Sequence, residues 1–376
     1  MVSRVGFIGG AERVLISTAT LLQANGYKVI LACPAPGPLM EQAIRQGIEV
    51  RPIAIDRTKA TASPSVLIRQ IVQFFRGRKQ IADLVKSLQP DVIHVHHPVG
   101  GLYCIGAAKS SDVPLLMHVH ETLPLPWTYK LLARLVYRRC SHLIGVSEKS
   151  CEMIRSLGIP PDRISRIYNG VEPAFLAENI EPVQELRGSG PHIGIFGAIE
   201  PRKGQQYFIQ AAARVLEKEP KAKFWVVGST SYADNQAYHE QLVSLATSLQ
   251  IRERVHFVGF KKEVPNWMAG MDVVVLASTG FESLPTVIIE AGALGRPVVA
   301  TTVGGVSEIL TDGETGLLIP PRNPELLAEA IDQLLGPKGA VVRERVRLDV
   351  RAKFSRSLFD RAILACYSTL APQRAA

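Results

Sequence analysis

Residues 273–301 read Val-Val-Val-Leu-Ala-Ser-Thr-Gly-Phe-Glu-Ser-Leu-Pro-Thr-Val-Ile-Ile-Glu-Ala-Gly-Ala-Leu-Gly-Arg-Pro-Val-Val-Ala-Thr. Val273–Ala277 is apolar without alternation, the pattern of a strand buried on both faces. Pro285 suits the first position of a helix, where its ring presets φ and its missing N–H costs nothing. Val298–Thr301 is the next apolar run. Strand, loop, helix, strand predicts a parallel βαβ unit.

The same alternation extends in both directions. Before the middle of the chain the predicted strands are Lys28–Cys33, Ile48–Ile55, Asp91–His96, Leu115–His120 and Leu143–Ser147. After it they are Ile193–Gly197, Phe224–Gly228, Val255–Val258, Val273–Ala277, Val298–Thr301 and Gly316–Ile319. Gln205–Glu217 and Pro324–Leu335 have the spacing of amphipathic helices. Asn169–Pro191 is rich in proline and polar breaks and reads as a linker. The expected fold class is α/β, with two doubly wound domains facing each other across a cleft. Domain bounds are 1–168, a linker 169–191, a second domain 192–355, and a C-terminal helix 356–376 that returns toward the first domain. Only Met1–Phe7 precede Gly9-Gly10, so the opening strand is very short or the sequence starts late.

The chain has 376 residues, enough for two domains with their own cores. Its 47% hydrophobic and 20% charged residues exclude wholesale disorder. Five scattered cysteines without a C-x-x-C pair argue against a disulfide framework or a structural zinc site. No N-terminal apolar run predicts a signal peptide, and no stretch of about 18 apolar residues predicts a membrane span. The expected location is cytoplasmic. The net charge of +9 lies wholly in residues 1–175, which carry 21 Lys and Arg against 12 Asp and Glu. That half therefore suits a soluble basic surface or an anionic partner such as a membrane face or acidic polysaccharide. It contains no recognisable nucleic-acid reading module, so no nucleic-acid partner is expected.

In doubly wound sheets, ligands bind outside the carboxyl ends of the strands. The N–H groups of Thr286 and Val287, at a helix start, form an anion site suited to a diphosphate. Thr286 and Glu290 share one helical face, and Glu282 precedes it; each carboxylate suits a pair of sugar hydroxyls. Lys203, in the loop Ala198-Ile199-Glu200-Pro201-Arg202-Lys203-Gly204, is a fixed cation for a departing diphosphate. Gly9-Gly10-Ala11-Glu12-Arg13 allows close backbone approach to a ligand. His94, His96, His97, His118 and His120 cluster at two strand ends, but no cysteine or carboxylate spacing completes a metal set. No Asp-x-Asp pair is present either, so no metal and no cofactor are expected.

Glu282 to Glu290, the segment 291–301, Gly304-Gly305-Val306-Ser307-Glu308 and Asp312–Leu318 together resemble the retaining glycosyltransferases of the GT-B fold, family 4. Gly9–Arg13 and Asn169-Gly170-Val171 are similar to that family's glycine loop and interdomain turn. The resemblance covers nearly the whole chain and implies two Rossmann-like domains, the first binding the acceptor and the second a nucleotide-sugar donor. It implies Glu282, His120 and Lys203 as catalytic residues. Donor contacts are implied for Gly10, Lys203, Gly259, Phe260, Glu282, Ser283, Leu284, Pro285, Thr286 and Glu290. Acceptor contacts are implied for Gly9, Gly10, Glu12 and His120. The family commonly has an arginine where this chain has Ala198; Arg202 is a substitute only if its side chain and that of Lys203 converge, which adjacent residues seldom do.

The implied activity is retaining, metal-independent hexosyl transfer from a nucleotide-diphosphate sugar to a lipid-linked glycan or cell-surface polysaccharide, lipopolysaccharide included. Arg69–Lys79 and Lys130–Arg139 mix cations with apolar residues, which suits attachment to the inner face of an anionic membrane. A nucleotide-sugar epimerase on the same fold and a catalytically weakened nucleotide-binding partner protein are the alternatives. The base, the sugar, the linkage and the oligomeric state are not written in the sequence.

Overall fold

The computed structural model describes residues 1–55, 64–121, 126–188, 190–230 and 235–371. They fall into two compact units, Met1–Asn169 with Phe359–Ala376, and Gly170–Leu358.

In the first unit the strands are β1 (Ile30–Cys33), β2 (Glu49–Pro52), β3 (Ile93–Val95), β4 (Leu115–Val119), β5 (His142–Gly145) and β6 (Ile164–Arg166). β1 pairs with β2, and β3 to β6 follow in order, all parallel. Val2 joins the two groups by bridging Ala32 and Val95. Its N–H donates to the His94 carbonyl at 2.8 Å, and the Ser3 N–H donates to the Ala32 carbonyl at 2.9 Å. The opening strand is thus a single bridging residue.

Around this sheet lie α1 (Gly10–Ala24), α2 (Pro38–Arg45), α3 (Pro64–Leu88), α4 (Pro98–Ser110), α5 (Trp127–Tyr137) and α6 (Glu148–Ser156). Strand alternation divides the core. Leu115, Met117 and Val119 pack with Ile81, Val85, Tyr103 and Val136. Leu116 and Ile144 pack with Leu15 and Leu22 of α1 and with Phe359, Ile363 and Tyr367. Those last three residues belong to the C-terminal helix Arg356–Leu370, which docks on the first unit. Residues 372–376 of the expected terminal helix lie outside the described residues.

The second unit has β7 (His192–Phe196), β8 (Lys223–Val227), β9 (Val255–Gly259), β10 (Val273–Leu276), β11 (Val298–Thr301) and β12 (Leu317–Ile319). Its helices are α7 (Gln205–Lys218), α8 (Gln236–Ser248), α9 (Val264–Ala269), α10 (Thr286–Ala293), α11 (Pro324–Leu335) and α12 (Pro337–Lys353). All pairs are parallel, in the order β12-β11-β10-β7-β8-β9. Read from the β9 edge and counted from β7, that is third, second, first, fourth, fifth, sixth, the doubly wound order whose direction reverses between β7 and β10. The loops after these two strands meet at the crevice where such sheets bind ligands.

Three details differ from the sequence reading. β6 was not expected; its short Ile-Ser-Arg run is an edge strand and never buries both faces. Asn169–Pro191 is not a free linker: from Gly170 on it belongs to the second unit. Phe175 and Leu186 are buried in it, and Asn266 Nδ2 donates to the Glu181 carbonyl at 2.8 Å. Ser189 of that stretch lies outside the described residues. Finally, Ile48–Ile55 pairs only over Glu49–Pro52.

Candidate functional site

The loop after β7 ends in a 3-10 turn, Pro201–Lys203, closed by Gly204 at φ +71. A Cβ on Gly204 would lie 1.9 Å from the Ala277 carbonyl oxygen, so only glycine lets this loop approach the end of β10. The Thr279 N–H donates to the Arg202 carbonyl at 2.8 Å and completes the junction.

Glu282 sits at the centre of it. Its Oε1 accepts from Lys203 Nζ at 2.7 Å, Ser278 Oγ at 2.7 Å and Arg202 Nη1 at 3.0 Å. Arg202 Nη2 also donates to Glu200 Oε1 at 2.6 Å. Arg202 and Lys203 therefore converge on one carboxylate, contrary to the expectation that they diverge; the tight 3-10 turn brings both onto the same side. The position of Ala198 carries no cation, and Arg202 supplies the second positive charge.

Glu282 is only 8% exposed. Burial pushes its pKa up, but Lys203 and Arg202 together with the hydrogen bonds outweigh that and hold it below the ordinary glutamate range. It is ionised at neutral pH. Glu290, 7% exposed, lies in the second turn of α10. Pro285 is the N-cap of α10, at φ −69 and ψ 105, instead of its first helical residue. The helix itself begins one residue later, at Thr286, with no side-chain cap. Leu284 is buried, whereas Phe260, just after Gly259 at φ +70, is exposed.

In the first unit, Glu12 turns back on its own helix: the Gly9 N–H donates to Glu12 Oε2 at 3.0 Å. The helix cap thus takes one carboxylate oxygen of Glu12, a residue expected to contact the acceptor, while Gly10 stays open. His97 caps α4, accepting from the Val99 N–H at 3.1 Å. The other ring nitrogen of His97 lies 3.0 Å from Tyr129 Oη, which donates to Glu121 Oε1 at 3.0 Å. Burial lowers His97 to about 3 and raises Glu121 to about 7. His97 is therefore neutral, and its 3.0 Å contact with Glu121 is a hydrogen-bonded contact and not an ion pair. The sequence reading missed Glu121 and Tyr129, which no spacing links.

His94, His96 and His118 are buried, and burial holds all three well below the ordinary imidazole range. Among the described residues they are the group able to offer ligand atoms to a metal, within 4.8 Å of one another. Tetrahedral zinc with nitrogen ligands needs separations of about 3.4 Å. The His94 and His118 rings lie 7° from parallel, stacked side by side and not converging on a point.

Two family models match the chain. Residues 8–175 match "Glycosyltransferase Family 4", and residues 190–336 match "Glycosyl transferases group 1". UDP-Gal:alpha-D-GlcNAc-diphosphoundecaprenol alpha-1,3-galactosyltransferase of Escherichia coli is 25% identical over 351 residues, covering 88% of this chain and 86% of that protein. A D-inositol 3-phosphate glycosyltransferase of Kribbella flavida is 26% identical, covering 99% and 93%. The crystal structure of Anabaena HepE in complex with UDP has a TM-score of 0.84 at 25% identity, covering 98% of both chains.

Glu282→Gln keeps the side chain's shape and removes its charge, leaving the mostly buried Lys203 unpaired. A loss of about 1–3 kcal/mol is expected at pH 7, most of it through Lys203 because Arg202 is largely solvated. A carboxyl with a depressed folded pKa stabilises above its unfolded value of about 4.3 and loses that stabilisation as pH falls through the folded one. In urea unfolding the gap between wild type and variant should therefore close as the pH is lowered toward 3. A gap independent of pH contradicts this account.

Proposed function

The chain belongs to glycosyltransferase family 4, the glycosyl transferases group 1, and from that premise we propose retaining, metal-independent transfer from a nucleotide-diphosphate sugar to a lipid-linked glycan or cell-surface polysaccharide. The observation that carries the reading is the meeting of Glu282, Lys203 and Arg202 at the reversal point of the second sheet, beside the start of α10.

Glu290 takes the ribose hydroxyls and Glu282 those of the transferred sugar, since a carboxylate accepts hydrogen bonds in pairs. The backbone around Ser283, Leu284, Pro285 and Thr286 meets the diphosphate, with Lys203 as its cation. Gly259 and Phe260 run beside the base. Lys203 Nζ has three donors, so it can keep Glu282 while binding a phosphate oxygen. Two fixed cations stabilise the negative charge that develops on the departing diphosphate. Gly9, Gly10 and His120 are the first unit's contribution to the acceptor and the reacting sugar.

In the proposed step the bond from the anomeric carbon to the phosphate oxygen breaks. The acceptor oxygen attacks on the same face, and its proton passes to the departing phosphate oxygen. The E. coli relative's name gives UDP-Gal as donor and a diphosphoundecaprenol-linked acceptor, which supports this substrate class. Convergence of Arg202 on Glu282 speaks against the weakened partner protein.

The first unit also exposes two apolar stripes. On α3, Ile68, Ile71, Val72 and Phe75 follow helical spacing, with Phe75 63% exposed. On α5, Trp127, Leu131 and Leu135 do the same, with Trp127 77% exposed. Phe74 is not part of a stripe; it packs inward, 5.0 Å from Tyr103. Arg69, Arg76, Lys79, Arg134, Arg138 and Arg139 are exposed on the same helices or directly after them. Apolar stripes flanked by cations suit shallow insertion into an anionic leaflet. No helix among the described residues is long and apolar enough to cross a membrane. The proposed attachment is peripheral, on the cytoplasmic face.

The anomeric configuration of the product, read by NMR, should match that of the donor; inversion contradicts the mechanism. Vesicles containing anionic lipid should float the protein at low salt, and Trp127→Ala with Phe75→Ala should reduce that several-fold. Equal flotation with neutral vesicles would remove the electrostatic part of the proposal, and no flotation would remove all of it.

A further inference from the structure

Glu121 stands just beyond the end of β4, and His97 just beyond the end of the neighbouring parallel strand β3. Both therefore lie at the carboxyl ends of the strands, where sheets of this kind meet their ligands.

His97 fixes the direction of the hydrogen bonds there. Its Nδ1 accepts from the Val99 N–H, so the proton of the neutral ring is on Nε2. That N–H lies 3.0 Å from Glu121 Oε1 and 3.0 Å from Tyr129 Oη, and Tyr129 Oη donates to the same Oε1 at 3.0 Å. Tyr137 Oη faces Oε2 from 3.5 Å, the outer limit of a hydrogen bond. An ionised carboxylate has about four acceptor sites. Oε1 takes the proton of Tyr129 and shares that of His97, whereas Oε2 keeps capacity for a further donor. The Glu121 side chain is still 19% exposed. Burial raises its pKa to about 7, against the hydrogen bond of Tyr129, the charge of Arg4 and the hydrogen bond of Tyr137. Tyr129 belongs to α5, whose outer face carries Trp127, Leu131 and Leu135. The helix proposed to meet the membrane thus also holds this carboxyl in place.

We propose that Glu121 is a specificity-determining residue for the acceptor: its carboxylate takes a hydroxyl of the acceptor sugar on Oε2, while His97 and Tyr129 hold Oε1. This role rests on the reading of the first unit as the acceptor side. A hydroxyl bound to an ionised carboxylate makes one of the stronger hydrogen bonds, and an acceptor without it leaves the charge poorly paired and is rejected.

Radiolabelled UDP-, GDP- and ADP-hexoses, offered separately with a membrane extract of the source organism, read both sides of the reaction. Titrating the extract reports the acceptor, and titrating the nucleotide sugar reports the other substrate. Glu121→Gln leaves an oxygen for Tyr129 and His97 and puts an amide NH2 where Oε2 stood. It should raise the KM for the extract about ten- to a hundredfold, the worth of a hydrogen bond to a charged group, with kcat and the nucleotide-sugar KM unchanged. The wild-type KM for the extract should fall as the pH rises through about 7, because only the ionised carboxylate accepts fully, and Glu121→Gln should remove that dependence. Tyr129→Phe, which takes one proton from Oε1, should shift the extract KM less and in the same direction; it carries the test if the glutamine variant does not fold. An unchanged extract KM in folded Glu121→Gln overturns the proposal, as does an equal rise in the nucleotide-sugar KM, the mark of a merely structural role. A wild type that binds a nucleotide yet transfers nothing to the extract defeats the acceptor-side reading itself, and the role of Glu121 falls with it.

Discussion

The buried carboxylate of Glu282 is the constraint on which the ligand end of the second unit depends. A charge removed from water must be paired and hydrogen-bonded or it destabilises the fold. Lys203, Arg202 and Ser278 supply the partners, and they come from the two loops that leave β7 and β10. Pairing the charge therefore pins together the two segments that border the reversal point of the sheet. Glycine makes the closure sterically feasible. Gly204 lets the first loop reach Ala277, and Gly304, at φ +55, passes where a Cβ would lie 1.9 Å from the Glu282 carbonyl oxygen. The Gly305 N–H then donates to that carbonyl at 2.8 Å. The site is pre-organised by a charge the protein needs to neutralise in any case.

The first unit solves a different problem with neutral groups. Its histidines gather on one face of β3 and β4 and are held uncharged by burial, with Tyr367 from the C-terminal helix closing one end of the row. Glu121 is likewise pushed toward its protonated form and held by Tyr129. A basic surface thus covers an interior whose titratable groups avoid charge. In the second unit, by contrast, the buried carboxylate is kept charged and its cations are brought to it.

Much of this is legible in the sequence. Unbroken apolar runs such as Val273–Ala277 and Val298–Thr301 mark central parallel strands, because burial on both faces removes alternation. The helix Pro324–Leu335 keeps its predicted bounds, since Asn323 caps it and its apolar spacing is regular. Edge strand β6 escapes the same reading because Ile-Ser-Arg buries little. The convergence of Arg202 and Lys203 escapes it too: adjacency along the chain argues for divergence, and only the 3-10 turn at Pro201 reverses that. The capping of Gly9 by Glu12 follows the three-residue spacing of a capping box, yet the neighbouring glycines draw attention to ligand binding instead. Contacts such as Tyr367 with His94, 273 residues apart, have no local signature at all.

The central claim is that the second unit is a donor site organised around Glu282 and Glu290. The most direct measurement is a thermal-shift panel of UDP, GDP, ADP and their sugar conjugates on wild type and Glu290→Ala. A ligand at about 100 times its dissociation constant stabilises by roughly 2.7 kcal/mol, well within reach of the method. The account predicts that one nucleotide raises the melting temperature of the wild type and that Glu290→Ala abolishes the shift. Equal stabilisation of both proteins, or none by any nucleotide, would contradict it.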